Sequence, residues 1–75
     1  MPDYAVVTFY STHHALKAER ILKKEIMISV VPVPRSISTN CGISIKFLTK
    51  DSGKAEEILK ENHVDFEGIF PWPEG

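Results

Sequence analysis

Apolar and polar positions follow two different periods along this chain, and the places where the period changes divide it into six elements. Residues 4–9 (YAVVTF) are continuously apolar and rich in β-branched and aromatic types, the pattern of a central strand. Ala15, Ala18, Ile21, Leu22 and Ile26 then recur at helical spacing, with Lys17, Glu19, Arg20, Lys23 and Lys24 on the opposite face. This predicts an amphipathic helix capped by Ser11 or Thr12 and basic in its last turn. Residues 28–33 (ISVVPV) read as a second strand, and Pro32 marks it as an edge strand or a strand end. Residues 43–48 (ISIKFL) alternate Ile43, Ile45 and Phe47 with Ser44 and Lys46, so a half-buried third strand is expected. Asp51 or Ser52 should cap a second helix with Ala55, Ile58 and Leu59 inward and Lys54, Glu56, Glu57 and Lys60 outward. Asn62 is expected to end it in the left-handed position. Residues 64–70 (VDFEGIF) alternate again and predict a fourth strand with Gly68 as a bulge, followed by an extended tail over 71–75 that carries Trp72.

The order strand, helix, strand, strand, helix, strand is that of the ferredoxin-like split βαβ fold. The expected architecture is therefore α+β, a four-stranded antiparallel sheet with two helices on one face and the other face wet or forming an interface. Seventy-five residues allow one such domain, spanning 1–75 with 71–75 as its tail. If the first two strands run upward, the stretches 10–14, 34–42 and 61–64 all lie at the upper end.

Composition narrows the function classes. Apolar residues at 43% and charged residues at 25% are ordinary for a folded globular chain. A formal net charge of -1 supplies no electrostatic footprint for nucleic acid or an anionic membrane. The first residues lack a basic lead followed by an apolar run, and no stretch approaches the roughly 20 apolar residues that span a bilayer, so a cytoplasmic protein is expected. A single cysteine closes no intramolecular disulfide, in keeping with a reducing compartment.

That cysteine is the main candidate for chemistry. Cys41 ends the polar loop 34–42 and is followed at once by Gly42, whose missing Cβ leaves the sulfur approachable. Ser36, Ser38, Thr39 and Asn40 can order the loop through bonds to their own backbone, and Arg35 adds a permanent positive charge. The predicted topology brings Cys41, Arg35, one of His13 and His14, His63 and the start of the first helix to one rim. A free thiol with its ordinary pKa of about 8.5 is roughly 3% thiolate at neutral pH, and a helix N-terminus or nearby cation raises that share. His63 also reads as a helix-end residue facing the dipole. Metal binding by Cys41 with histidines is a weaker reading, because the chain has no Cys-x-x-Cys and no helical His-x-x-x-His pair. There is no glycine-rich phosphate loop and no specific hydrolase arrangement.

The stretches 7–19, 31–43, 58–62 and 67–69 together make the chain resemble the selenium/sulfur (Se/S) carrier protein-like family of small prokaryotic proteins. The resemblance spans about residues 4–70, and its most specific part is Val-Pro-Arg-x-Ile-Ser-x-x-Cys-Gly, matched from Val33 to Gly42. The Pro71-Trp72-Pro73 tail lies outside it, and the Cys-Pro-x-Pro motif of better understood sulfur-relay proteins is absent. The resemblance implies a reactive cysteine and a carrier, or a sulfurtransferase-like accessory, rather than an independent enzyme. On that reading Cys41 holds the chalcogen as a persulfide or its selenium analogue, with no cofactor and no metal. Arg35 and the first-turn backbone donors at His13 and His14 stabilise the anion, one histidine exchanges protons, and Gly42, Ser38 and Asn40 shape the loop. The implied partners are sulfur or selenium donor and acceptor proteins, with a homodimer through the sheet face or edge as a further expectation. The rival from the residues alone is a noncatalytic interaction or regulatory module in which Cys41 is structural.

Overall fold

The computed structural model describes residues 3–37 and 42–73. Strand β1 (Tyr4–Thr8) leads through Ser11 into helix α1 (Thr12–Leu22), then come β2 (Ile28–Pro32), β3 (Ile43–Leu48), a 3₁₀ turn (Thr49–Asp51), α2 (Ser52–Glu61) and β4 (Gly68–Pro71). The sheet order is β2-β3-β1-β4 with every neighbouring pair antiparallel. This is the ferredoxin-like α+β layout that the periodicity predicts.

Strand parity decides what each face does. Ala5, Val7, Phe9, Ile45 and Phe47 point to the helix side and pack with Ala15, Ala18 and Leu22 of α1 and Ala55, Ile58 and Leu59 of α2. Ala5 stands opposite Phe47 across β1 and β3, a small residue facing a large one. The other face carries Tyr4, Val6 and Thr8 beside Leu48, Lys46 and Ser44. It bears no helix, yet Val6, Thr8 and Ser44 are fully buried. Val6 is flanked by Lys46 on one side and Phe70 on the other, so long side chains of the sheet itself shield this face.

Several boundaries differ from the sequence expectation. Phe9 is core but lies just beyond β1. Helix α1 stops at Leu22, and Ile26 reaches the core through a turn in which the Glu25 and Ile26 amides both donate to the Leu22 carbonyl. Its last turn therefore holds Arg20, with Lys23 and Lys24 beyond it. Strand β2 is an edge strand, as Pro32 requires, and ends at that residue. Helix α2 is entered from the 3₁₀ turn, and Asp51 at its N-cap makes no side-chain capping bond.

The end of α2 corrects two expectations. Asn62 is not left-handed; His63 is, at φ 56°, while Asn62 uses its side-chain amide to donate to the Ile58 carbonyl at 2.8 Å. His63 N–H donates to the Lys60 carbonyl and Val64 N–H to the Leu59 carbonyl, which is a Schellman closure, with buried Val64 against buried Leu59. Val64 therefore serves the helix end, and β4 starts only at Gly68, in register with Thr8. Gly68 is a paired strand residue rather than a bulge. Phe70 lies over it so closely that an added Cβ would meet the ring at 3.0 Å. Because a side chain in the left-handed region costs on the order of 1 kcal/mol, His63→Gly should raise stability by about that amount in chemical denaturation; an unchanged or lower midpoint would contradict this account of the turn.

On the outer side of α2, Glu57 and Glu61 stand one turn apart. The Glu61 carboxyl is pushed above its ordinary range by a hydrogen bond with Glu57, by the Glu57 charge, and further by slight desolvation and by Glu25. Glu56 and Lys60 pair at 3.6 Å on the same exposed surface.

Candidate functional site

The upper end of the sheet is where β1 and β2 finish and where β3 and β4 begin. Val33 N–H donates to the Gly42 carbonyl at 3.2 Å, closing the base of the 34–42 loop just beyond the β2–β3 pairing. Pro34, Arg35, Ser36 and Ile37 then form a β-turn, with Ile37 N–H donating to the Pro34 carbonyl at 3.0 Å. Arg35 and Ser36 occupy the two central positions of the turn, which leaves Arg35 exposed at its corner. Arg35 forms no ion pair with any described residue. Gly42 is exposed, with open space where a Cβ would stand. Ser38, Asn40 and Cys41 itself, the remaining residues expected to act here, lie outside the described residues together with Thr39.

Helix α1 starts at the same end. Ser11 is its N-cap in extended conformation; its hydroxyl accepts from the His14 backbone N–H at 3.3 Å and lies 2.6 Å from His14 Nδ1. An unprotonated Nδ1 accepts the Ser11 O–H while the hydroxyl oxygen receives the amide, so one side chain satisfies both contacts. The His14 amide is consequently committed to the cap. Of the two backbone donors expected to face an anion, the one at His13 is left for that role. The His13 ring is exposed and stands edge-on to His14 with centroids 6.3 Å apart, in a groove shared with Leu16, Lys17 and Arg20.

His63 occupies the same end, at the close of α2. It precedes β4, whereas the 34–42 loop joins β2 and β3, and β2 and β4 are separated by three strand spacings, about 14 Å. With its backbone fixed by the Schellman closure, His63 lines a separate open hollow with Lys60, Val64, Asp65 and Phe66. Among the described residues no three His, Cys, Asp or Glu side chains are grouped to hold a metal ion. No helix of the described residues is long and apolar enough to cross a membrane.

Two hydroxyls at this end escape a reading of the sequence. Ser44, expected on the wet face, is buried and donates from its side chain to the Val31 carbonyl at 3.2 Å. Thr8 stands opposite Ser44, and its Oγ1 is fully buried with no hydrogen-bond partner among the described residues. Sequence alternation marks Ser44 as polar, but no pattern in the chain signals that a helix-free face buries it. A buried unpaired hydroxyl costs about 1–3 kcal/mol, so Thr8→Val, of the same shape, should gain on the order of 1 kcal/mol in thermal or chemical unfolding. A loss of stability would show that the hydroxyl has a partner in solution.

No curated protein and no solved structure gives a significant match to the chain. A family model does, over residues 3–71, nearly the whole length and including Cys41, Arg35, Gly42 and both histidines at the start of α1. On that match the chain belongs to the family described as "Putative Se/S carrier protein-like".

Proposed function

We propose that this protein is a sulfur or selenium carrier whose cargo rides on Cys41. The observation that carries the reading is the family match across residues 3–71, a span that contains the chain's only cysteine. In the loading step the Cys41 thiolate attacks the outer sulfur of a donor protein's persulfide. A new S–S bond forms at Cys41, the donor's S–S bond breaks, and the donor cysteine leaves as a thiolate. Delivery repeats the exchange with an acceptor nucleophile attacking the outer sulfur and Cys41 leaving. The electrons balance without an external oxidant or reductant. With no second cysteine in the chain, no internal thiol can expel the cargo as a disulfide.

The described surroundings support this chemistry in four ways. Arg35 is exposed and unpaired among the described residues, so its charge is available to an anion at the loop. The first turn of α1 stands at the same end, with its positive dipole end and the His13 amide. Gly42, next to Cys41 in the sequence, has open space where a Cβ would stand and so adds no bulk against an incoming sulfur. His14, held by Ser11, is the histidine set to exchange a proton. Selenium in place of sulfur requires no change in this scheme.

The test is alkylation of folded protein across a pH range. A thiol that reacts readily well below the ordinary range of a free cysteine supports the carrier. One that reacts only on unfolding supports a noncatalytic module with a structural cysteine.

A further inference from the structure

At the lower end of the helix-free face, Lys46 places its ammonium 4.4 Å from the ring centroid of Tyr4 and 4.2 Å from that of Trp72. The tail residue Trp72 is drawn there because its backbone N–H donates to the Tyr4 carbonyl at 2.9 Å, carrying the β4 pairing one residue past Pro71. Two π faces hold the ammonium in place, but neither neutralises its charge. Lys46 is half-buried and forms no ion pair with any described residue. Beside it lies a cavity of about 180 Å³ lined by Tyr4, Met27, Ile28, Ser29, Lys46 and Leu48. Met27 is 80% exposed at its rim.

We infer that this cavity docks an extended acidic-apolar segment of a partner protein, with an aliphatic side chain in the cavity and a neighbouring carboxylate on Lys46 Nζ. Charge complementarity selects the occupant. The register sets Tyr4, Val6, Thr8, Ser29, Val31, Ser44, Lys46, Leu48, Gly68 and Phe70 on this face, so a cation stands on apolar and hydroxyl surface with no carboxylate among them. A second copy fits poorly, because a two-fold contact between these faces brings surfaces of the same sign together and supplies no carboxylate from the described face. The cavity is open to solvent and has room for one aliphatic side chain. Lys46 lies four residues along β3 from Gly42, about 14 Å, so docking is independent of the proposed thiol chemistry and is read separately from it.

The experiment titrates ¹⁵N-labelled protein with the synthetic peptide acetyl-GLELEG-amide and with its uncharged counterpart acetyl-GLQLQG-amide. The expected result is amide shifts confined to Tyr4, Met27, Ser29, Lys46, Leu48 and Trp72, with the glutamine peptide about five- to ten-fold weaker. Lys46→Met should reduce the glutamate peptide to the affinity of the glutamine one. Equal binding of the two peptides, shifts elsewhere, or no shift at millimolar peptide would overturn the proposal. So would self-association in sedimentation that protects these same amides.

Discussion

Cys41→Ser is expected to remain folded and to lose sulfur loading entirely. A thiolate is both the attacking and the leaving group in persulfide exchange, whereas a serine hydroxyl stays protonated near neutral pH and has no sulfur with which to form the S–S bond. The exchange of one atom at the end of a polar loop should alter stability by no more than about 0.5 kcal/mol. Incubating wild type and variant with a radiolabelled persulfide donor and counting label on the separated protein checks the first half; matching melting curves check the second. Label retained by the serine variant would remove Cys41 from the proposed role.

Phe47→Ala should have the largest effect on the fold. Phe47 is 2% exposed on the core face, paired with Ala5 of β1 and Ile28 of β2, and thus ties the central strand pair to the edge strand. Phenylalanine-to-alanine changes in cores cost about 3–5 kcal/mol, because the lost transfer energy is joined by the cavity left behind. A chain of seventy-five residues has a total stability of only about 4–11 kcal/mol, so the variant is expected to lose from about a quarter to all of it. Urea titration at low temperature reads the loss. A decrease below about 1 kcal/mol would mean that the helix-side core does not close on this ring.

Most of the fold was legible because strand and helix periods differ, and the third strand shows why. Ile43–Leu48 matched its expected limits because it alternates cleanly and Gly42 precedes it. The fourth strand was overextended because alternation alone cannot separate paired residues from the connection before them: Val64 continues the pattern, but its burial belongs to the α2 terminus, where it packs on Leu59. Intrinsic preference points to Asn62 as the left-handed turn residue, and closure of the last helical turn places it at His63 instead. Parity identified the helix-free face but not its partial burial, which follows from cross-strand neighbours such as Phe70 over Gly68 that are fixed only once the register is known.

The candidate site was legible in outline. Topology brought the first turn of α1, the Arg35 turn and Gly42 to one end, as the element order requires. Local hydrogen bonding then refined it: Ser11 takes the His14 amide, and the Schellman closure holds the backbone of His63, which lines a separate hollow. Lys46 could be read as a solvated strand residue, and the sequence left the role of Trp72 open. Their meeting with Tyr4 depends on β4 pairing with β1 beside β3, a contact between segments far apart in the chain.

The measurement closest to the central claim is the intact mass of the folded protein, taken after exposure to a persulfide donor and again after addition of an acceptor thiol. The account predicts the gain of a single sulfur atom on Cys41 and its return to the starting mass on transfer. A mass that never changes, or an added sulfur that the acceptor cannot remove, would contradict it.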